Sequence, residues 1–500
     1  MLINTGIYIV IFSSIFEYLS IFFLNLKISS YFSFFLTVFS TFVFGYISSS
    51  TVLYLLFIFF SIYRLLNLLR GIRNYSTNLK KMILNSSLRL NLVLLLILLL
   101  DYNNLSTILL SKISFQIVSV AIFAILFYFN FQTKYNIEKS EHLHKPINYY
   151  DRDLPTLSIL IPARNETNDL EKCIESILLS DYPKLEVIVL DDCSLTKQTS
   201  EIIKNYAHNG VRFIQGEIPP EDWLPKNYAY EQLLDQSNGE LILFCGVDVR
   251  FESHTIRSLV DIFKTEKYSM MSVIPSNNYN KADFGSLIYQ PLRYAFEVIF
   301  SRYLIKKPPV LSTCWMIEKD LINKLGTFKA VKQKVTPESY FSKESLKRKL
   351  KYVLIKSNNT IGLSSFKNSF EQKLTAIRTY YPKLHRRIDL VSLVSLSELI
   401  VFIIPFFLIV YFSINLNITM LSINIFTVLF EFILYNQLIK LTFDKMIIRY
   451  RLLVIVAVLV DIYLYNLSML LYEFKEVYWK ERNICLPVMN YKSNPVKNSD

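Results

Sequence analysis

The chain has 500 residues, enough for two or three domains, but 52% are hydrophobic and the mean hydropathy is +0.32, too apolar for an ordinary water-soluble protein. The formal net charge of +13 invites a nucleic-acid partner, yet the Lys and Arg residues flank apolar runs and form no aromatic-interleaved patch, so anionic membrane lipid is expected and nucleic acid is not. Five cysteines, Cys173, Cys193, Cys245, Cys314 and Cys485, contain no CxxC pair, which argues against a zinc site or disulfide framework and fits a reducing cytosol.

In chain order, residues 1–131 read as an N-terminal transmembrane region. A span needs about 20 mostly apolar residues, and the candidates are Ile7–Leu26, Tyr31–Gly45, Val52–Ile62, Leu90–Leu110 and Ser114–Phe131, the second and third short enough to form one hairpin. Arg64, Arg70, Arg73, Lys80, Lys81 and Arg89 crowd the segment between the third and fourth spans, which marks it as a cytoplasmic loop. Two further spans return the chain to the same side, so the stretch after a linker at 132–155 is expected in the cytosol. The whole chain then reads as a multi-pass plasma-membrane protein.

Residues 156–365 alternate apolar and polar residues at soluble-domain spacing. Leu157–Ile161 predicts a strand and Asp169–Leu179 a helix; the pattern recurs at Leu185–Leu190 and Thr199–Ala207, Val211–Gln215 and Asn227–Asp235, and Leu241–Cys245 and Thr255–Phe263. Four strand–helix repeats with wholly apolar strands predict a mainly parallel α/β sheet covered on both faces. Residues 366–389 follow as an interfacial amphipathic segment, then three spans, Leu390–Phe412, Ile418–Leu441 and Leu452–Leu471, within 390–472, and a tail at 473–500. Lys440, Lys445, Arg449 and Arg451 place one loop inside, while Lys475, Lys480 and Arg482 place the tail inside too. Both can be cytosolic only if one segment is re-entrant. Glu17, Glu398, Glu431 and Asp461 fall inside spans, where a carboxylate must face a helix partner or a polar cavity.

Open α/β sheets bind ligands at the carboxyl ends of their strands, and those ends are polar here: PARNE at Pro162–Glu166, DDCS at Asp191–Ser194 and GVD at Gly246–Asp248. Each alone reads as a turn or helix cap. Together they gather acids that repel one another unless a cation or a donor-rich ligand lies among them. A nucleoside diphosphate with a divalent metal supplies both, with Asp192 on the base, Asp191 or Glu166 on the base or ribose, and Asp248 on the metal.

The ordered set ILIPARNE, VIVLDDCS, WLPKNYA from Trp223, LILFCGVDVRF, GTFKAV from Gly326 and VTPESYFSKE from Val335 resembles glycosyltransferase family 2, in its membrane-bound members with a GT-A fold. The resemblance implies a GT-A (nucleotide-diphospho-sugar transferase) domain between two transmembrane bundles. It implies nucleotide contacts from Pro162, Ala163, Arg164, Glu166, Asp191, Asp192, Lys226 and Val247, a metal ligand in Asp248 and a divalent cation, Mg2+ or Mn2+. Gly246 stands where the family's Asp-x-Asp has its first acid, and Pro225 where it tends to have Gly. Glu338, followed by Ser339, matches the segment that carries the family's catalytic base, with Glu344 as a weaker alternative. The Gln-x-x-Arg-Trp signature of processive synthases is missing; RTYYPKLHRR, with Arg378, Tyr380 and His385, occupies its place. VYWKERN from Val477 resembles the Trp-Lys-x-Arg ending of related lipid-acceptor enzymes. The expected activity is inverting sugar transfer from a nucleotide sugar, a UDP-sugar first, to a lipid or membrane-presented acceptor. A processive synthase and a catalytically dead nucleotide-binding scaffold are the alternatives.

Overall fold

The structure is a computed structural model and describes residues 8–12, 15–16, 26–48, 50–73, 77–103, 111–141, 150–277, 283–299, 308–443 and 453–485. Among them, seven helices are long and apolar enough to cross a membrane: Ile28–Tyr46, Thr51–Ile72, Lys81–Tyr102, Lys112–Ser140, Ile388–Ile414, Ile418–Thr442 and Val454–Phe474. Every expected span from the second onward overlaps one of them, whereas Ile7–Leu26 lies largely outside the described residues. The second and third form the anticipated hairpin, with Thr41 donating to Ser61 at 3.1 Å and the Phe44 and Phe57 rings 4.6 Å apart.

Arg64 and Arg70, read as loop residues, instead lie in the helix Thr51–Ile72, 1% and 0% exposed. Each has a polar partner on another helix. Arg64 donates to Thr37 on the neighbouring helix, and Arg70 pairs with Glu473 at 2.9 Å. The span Ile388–Ile414 runs as two helical segments, Ile388–Phe402 and Ile404–Ile414, interrupted beside Pro405, which has no N–H to continue the ladder.

The strands are β1 Leu157–Ala163, β2 Leu185–Asp191, β3 Val211–Gln215, β4 Leu241–Cys245, β5 Val249–Phe251, β6 Met270–Ile274, β7 Cys314–Glu318, β8 Tyr352–Lys356, β9 Leu363–Ser365, β10 Tyr478–Trp479 and β11 Arg482–Asn483. Seven form one sheet in the order β3-β2-β1-β4-β7-β6-β8. The run β3-β2-β1-β4 is parallel; β7 is antiparallel to both β4 and β6, and β8 is parallel to β6. This is the mainly parallel GT-A sheet, with the four predicted strands forming one half of it. Pleating sends Ile159 and Ile161 into one core with Leu170, Ile174 and Val260, and Leu160 into another with Tyr230, Phe244 and Trp315. In the second core the Phe244 and Trp315 rings stack at 4.3 Å.

The last described helix, Val454–Phe474, runs beside the helix Ser369–Lys383 and shares hydrogen bonds along it. Tyr380 donates to Asp461 at 2.7 Å, Ser468 to the Ile377 carbonyl at 2.5 Å, and Tyr472 to the Arg378 carbonyl at 2.9 Å. Its first turn packs with Leu287 and Phe443, and the segment before Phe443 is tied to the central domain by Asn277 N–H on the Thr442 carbonyl at 2.6 Å. At its other end Glu473 accepts from Tyr381 at 2.6 Å, and the β10–β11 hairpin then reaches the rim of the sheet. Both ends of this helix therefore meet the central domain.

Candidate active site

The chain leaves β1 through Arg164 and Asn165, the latter at φ 49°, a left-handed conformation that Asn tolerates. Pro162 and Ala163 belong to the strand and are buried. They shape the site through backbone, since the Ala163 carbonyl accepts from Asp192 N–H at 2.7 Å. Arg164 is a brace: it donates to the Asp192 carbonyl at 2.8 Å, to the Cys193 carbonyl and to the Lys480 carbonyl at 2.9 Å, joining the β1 and β2 exits to the C-terminal hairpin. Glu166 is held by Thr199 and faces Lys480, with Nζ to Oε1 at 3.1 Å. Burial pushes its carboxyl above the usual range, and Lys480 pulls it partly back.

The two acids at the end of β2 differ. Asp191 spends one oxygen on its own turn, accepting from Ser194 N–H at 3.0 Å and Ser194 Oγ at 2.5 Å. Asp192 is 1% exposed and takes Arg482 on Oδ1 at 2.7 Å, while its buried Oδ2 has no hydrogen-bond partner among the described residues. Burial lifts its carboxyl to about 6, against the opposing pull of Arg482 and Arg164. A buried acceptor left open at a strand end is a place for a ligand's N–H or O–H.

After β4, Val247 packs on the core and gives its carbonyl to Arg250 at 2.6 Å. Asp248 is placed by the β5–β9 ladder, in which Val249 faces Ser365 and Phe366 N–H donates to the Asp248 carbonyl at 3.0 Å. Its Oδ2 accepts from Ser365 at 2.6 Å and pairs with Lys367 Nζ at 3.2 Å. Burial alone would raise this carboxyl, but Lys367 and Ser365 outweigh burial and hold it below the usual range. Its Oδ1 lies over Gly246, 2.6 Å from where a Cβ would stand. Among the described residues no group of three or more His, Cys, Asp or Glu could hold a metal ion. At the expected Mg2+ or Mn2+ position the protein offers one carboxylate, Asp248, with glycine where the second acid was expected and the Lys367 ammonium on Asp248 Oδ2.

Opposite Asp248 lies a group of cations that feel one another. Lys226, in the first turn of the helix Pro225–Asp235, is brought down to about 8 by burial, with Arg378 and Lys367 adding to the fall and Glu338 and Asp248 opposing it. Lys367 is lowered by burial and by Arg293 and Arg378, against Asp248; burial lowers Arg378 to about 10, Arg293 adding to it. Arg293 is anchored on Gln372 at 2.7 Å, and Gln372 on Gln290 at 3.0 Å. Glu338 is 3% exposed at the start of the helix Glu338–Lys347 and lies close enough to raise the proton affinity of Lys226. Of the residues gathered here, the sequence had pointed to Lys226, Asp248, Glu338 and Arg378 but not to Lys367 or Arg293. Lys367 follows a three-residue strand with no periodicity to flag it, and Arg293 sits in a helix across the missed β6–β7 region.

Residues 158–326 match the Glycosyl transferase family 2 family. The poly(ribitol-phosphate) beta-N-acetylglucosaminyltransferase TarS of Staphylococcus aureus is 24% identical over 171 residues, 33% of this chain and 29% of that protein. The GalNAc(5)-diNAcBac-PP-undecaprenol beta-1,3-glucosyltransferase of Campylobacter jejuni is 30% identical over 113 residues, 21% of this chain and 34% of that protein. The chain thus spans about a third of the length of these curated relatives. Among solved structures, the mannosyltransferase PcManGT from Pyrobaculum calidifontis, in complex with GDP-Man and Mn2+, superimposes with a TM-score of 0.40 at 16% identity, over 54% of this chain and 74% of that one. The family match takes in the β1, β2 and β4 exits and stops short of Glu338, Lys367 and Arg378. Residues 158–326 thus form a glycosyltransferase family 2 domain, in a chain with long apolar helices on both sides of it.

Proposed function

We propose that the protein transfers a sugar from a nucleotide-sugar donor, a UDP-sugar first among candidates, to a lipid or membrane-presented acceptor in envelope glycan or glycolipid synthesis. The carrying observation is the rim itself: the open Oδ2 of Asp192 and the Glu166 carboxylate offer acceptors to a nucleoside, and Lys226, Lys367 and Arg378 offer charge to a diphosphate. Bordering apolar helices favour an acceptor presented from the bilayer, in keeping with the polymer and undecaprenol named for the two relatives.

In this reading Glu338 takes the proton from the acceptor hydroxyl, whose oxygen attacks the anomeric carbon from the face opposite the diphosphate. The C–O bond to the diphosphate breaks, the nucleoside diphosphate leaves with the bonding pair, and the configuration inverts. Pro162, Ala163, Arg164, Asp191 and Val247 act through the backbone and packing that hold these groups in place. The domain is cytosolic, where nucleotide sugars are made, and the helix Val454–Phe474 is re-entrant, so the basic segments on either side of it share that compartment.

Purified full-length protein in lipid nanodiscs, given a panel of nucleotide sugars, is expected to release nucleotide faster when membrane lipid acceptor is supplied. No nucleotide binding and no release under any condition sinks the enzyme reading, and binding without release turns it into a nucleotide-binding scaffold. Glu338→Gln is expected to leave donor affinity within about twofold and to cut transfer by roughly 10²–10⁴. Transfer at the wild-type rate removes Glu338 from the base role.

A further inference from the structure

The donor-side chemistry above calls for positive charge on the departing diphosphate, and the fold supplies it in an unexpected form. Asp248 is the one carboxylate that its strand exit offers, because Gly246 brings none. Oδ2 of Asp248 is already occupied twice, by Ser365 Oγ at 2.6 Å and by Lys367 Nζ at 3.2 Å. A divalent ion on that oxygen would meet the Lys367 ammonium at contact range, and like charges that close repel strongly in a desolvated site.

The surroundings reinforce this. Lys226, Arg293, Lys367 and Arg378 converge from four elements of the chain, the helix Pro225–Asp235, the helix Phe284–Ile299, the segment after β9 and the helix Ser369–Lys383. The carboxylates that face them are Asp248 and Glu338, with Glu371 on Arg378's own helix. Lys226, Lys367 and Arg378 are each only partly exposed, and each has another cation near it. Such a cluster gains by taking up an anion of two or more negative charges, which relieves both the burial and the mutual repulsion.

We infer that Lys367 and Arg378, supported by Lys226, hold and neutralise the donor diphosphate in place of a divalent metal, with Asp248 serving to position Lys367. This rests on the glycosyltransferase reading and deepens it. Lys367 makes the direct phosphate contact, Arg378 contributes a planar pair of donors from the edge nearest the apolar helices, and Arg293 acts at second remove through Gln372.

The test is binding of UDP and GDP to the full chain in nanodiscs, by calorimetry, in EDTA and again with Mg2+ or Mn2+. At least one of the two is expected to bind in EDTA with a Kd within about threefold of its value with metal, weakening with salt. Lys367→Gln and Arg378→Gln are each expected to weaken it roughly tenfold or more, and Lys367→Arg to retain it, the latter showing that the site still folds. The double variant Lys367→Gln with Asp248→Asn separates two roles of the lysine. Continued weak binding supports direct phosphate contact, while recovery to wild-type affinity means Lys367 only masks Asp248 and overturns the inference. Binding lost in EDTA and restored by Mn2+ also overturns it while leaving the glycosyltransferase reading intact. Absence of nucleotide binding in every condition removes both.

Discussion

Asp192 is held under opposing demands. Its pairing with Arg482 is strongest as a carboxylate, yet burial lifts its carboxyl to about 6. An unfolded Asp titrates near 3.9, so the folded protein holds this proton more tightly than the unfolded chain. Its ionisation therefore costs stability, a cost that appears as pH rises from about 4 to about 6 and is constant above, amounting to up to about 3 kcal/mol. Asp192→Asn is expected to raise the melting temperature in detergent at pH 7, to lose that advantage below pH 4, and to weaken nucleotide binding. A melting temperature that falls at pH 7 means the Arg482 pair outweighs burial. Asp191 and Asp192 are alike as sequence; what divides them is that Ser194 turns back onto the first and leaves the second for Arg482. That division depends on residues far apart in the chain and cannot be read from the DDCS motif.

At the level of elements, the β10–β11 hairpin is marked in the sequence by its VYWKERN motif, but nothing there shows that it reaches the exits of β1 and β2. Its turn residues Lys480 and Glu481 both adopt left-handed backbone, φ 47° and 66°, a conformation that costs non-glycine residues about 1 kcal/mol each. The cost is offset by what the turn delivers: Lys480 to Glu166, Glu481 to Asn165 at 3.2 Å, and Arg482 to Asp192. Arg482→Ala is expected to weaken nucleotide binding roughly tenfold through loss of a charge-assisted contact and to expose residues 476–485 to limited proteolysis. Unchanged affinity and unchanged cleavage would separate the hairpin from the site. The four strand–helix units were legible because apolar strands and amphipathic helices alternate with a clear change of period. Strands β6, β7 and β8 are short apolar runs without such partners, so the half of the sheet that carries the helix with Arg293 went unread.

Across the whole molecule, the N-terminal helices and the last described helix are joined by a pair with both side chains 0% exposed, Arg70 and Glu473. Removing one partner strands a buried charge, so Glu473→Gln is expected to destabilise the protein by about 3–5 kcal/mol in detergent unfolding, with Arg70→Met added to it recovering much of the loss. A double variant no more stable than the single would deny the pairing. Basic residues were counted as loop markers because lipid excludes unpaired charge. Arg70 escapes that rule through a carboxylate supplied from far along the chain, and a rule based on local composition has no access to it. The acids at the strand exits were legible because the sequence announces where those strands end, whereas Lys367 and Arg293 stand where no such pattern points.

Arg164 closes on the Lys480 carbonyl across 316 positions of chain. At about 5–20 residues per second, a ribosome needs roughly 15–60 s to travel that distance. During this interval the sheet can form, but the hairpin that braces Arg164 and engages Asp192 has not yet been made, and its delivery waits on insertion of the helices that precede it. Maturation is thus ordered in time: the brace on Arg164 and the partner of Asp192 come only from chain that emerges after the downstream apolar helices, so a stalled nascent chain would hold the sheet with its β1 and β2 exits unbraced.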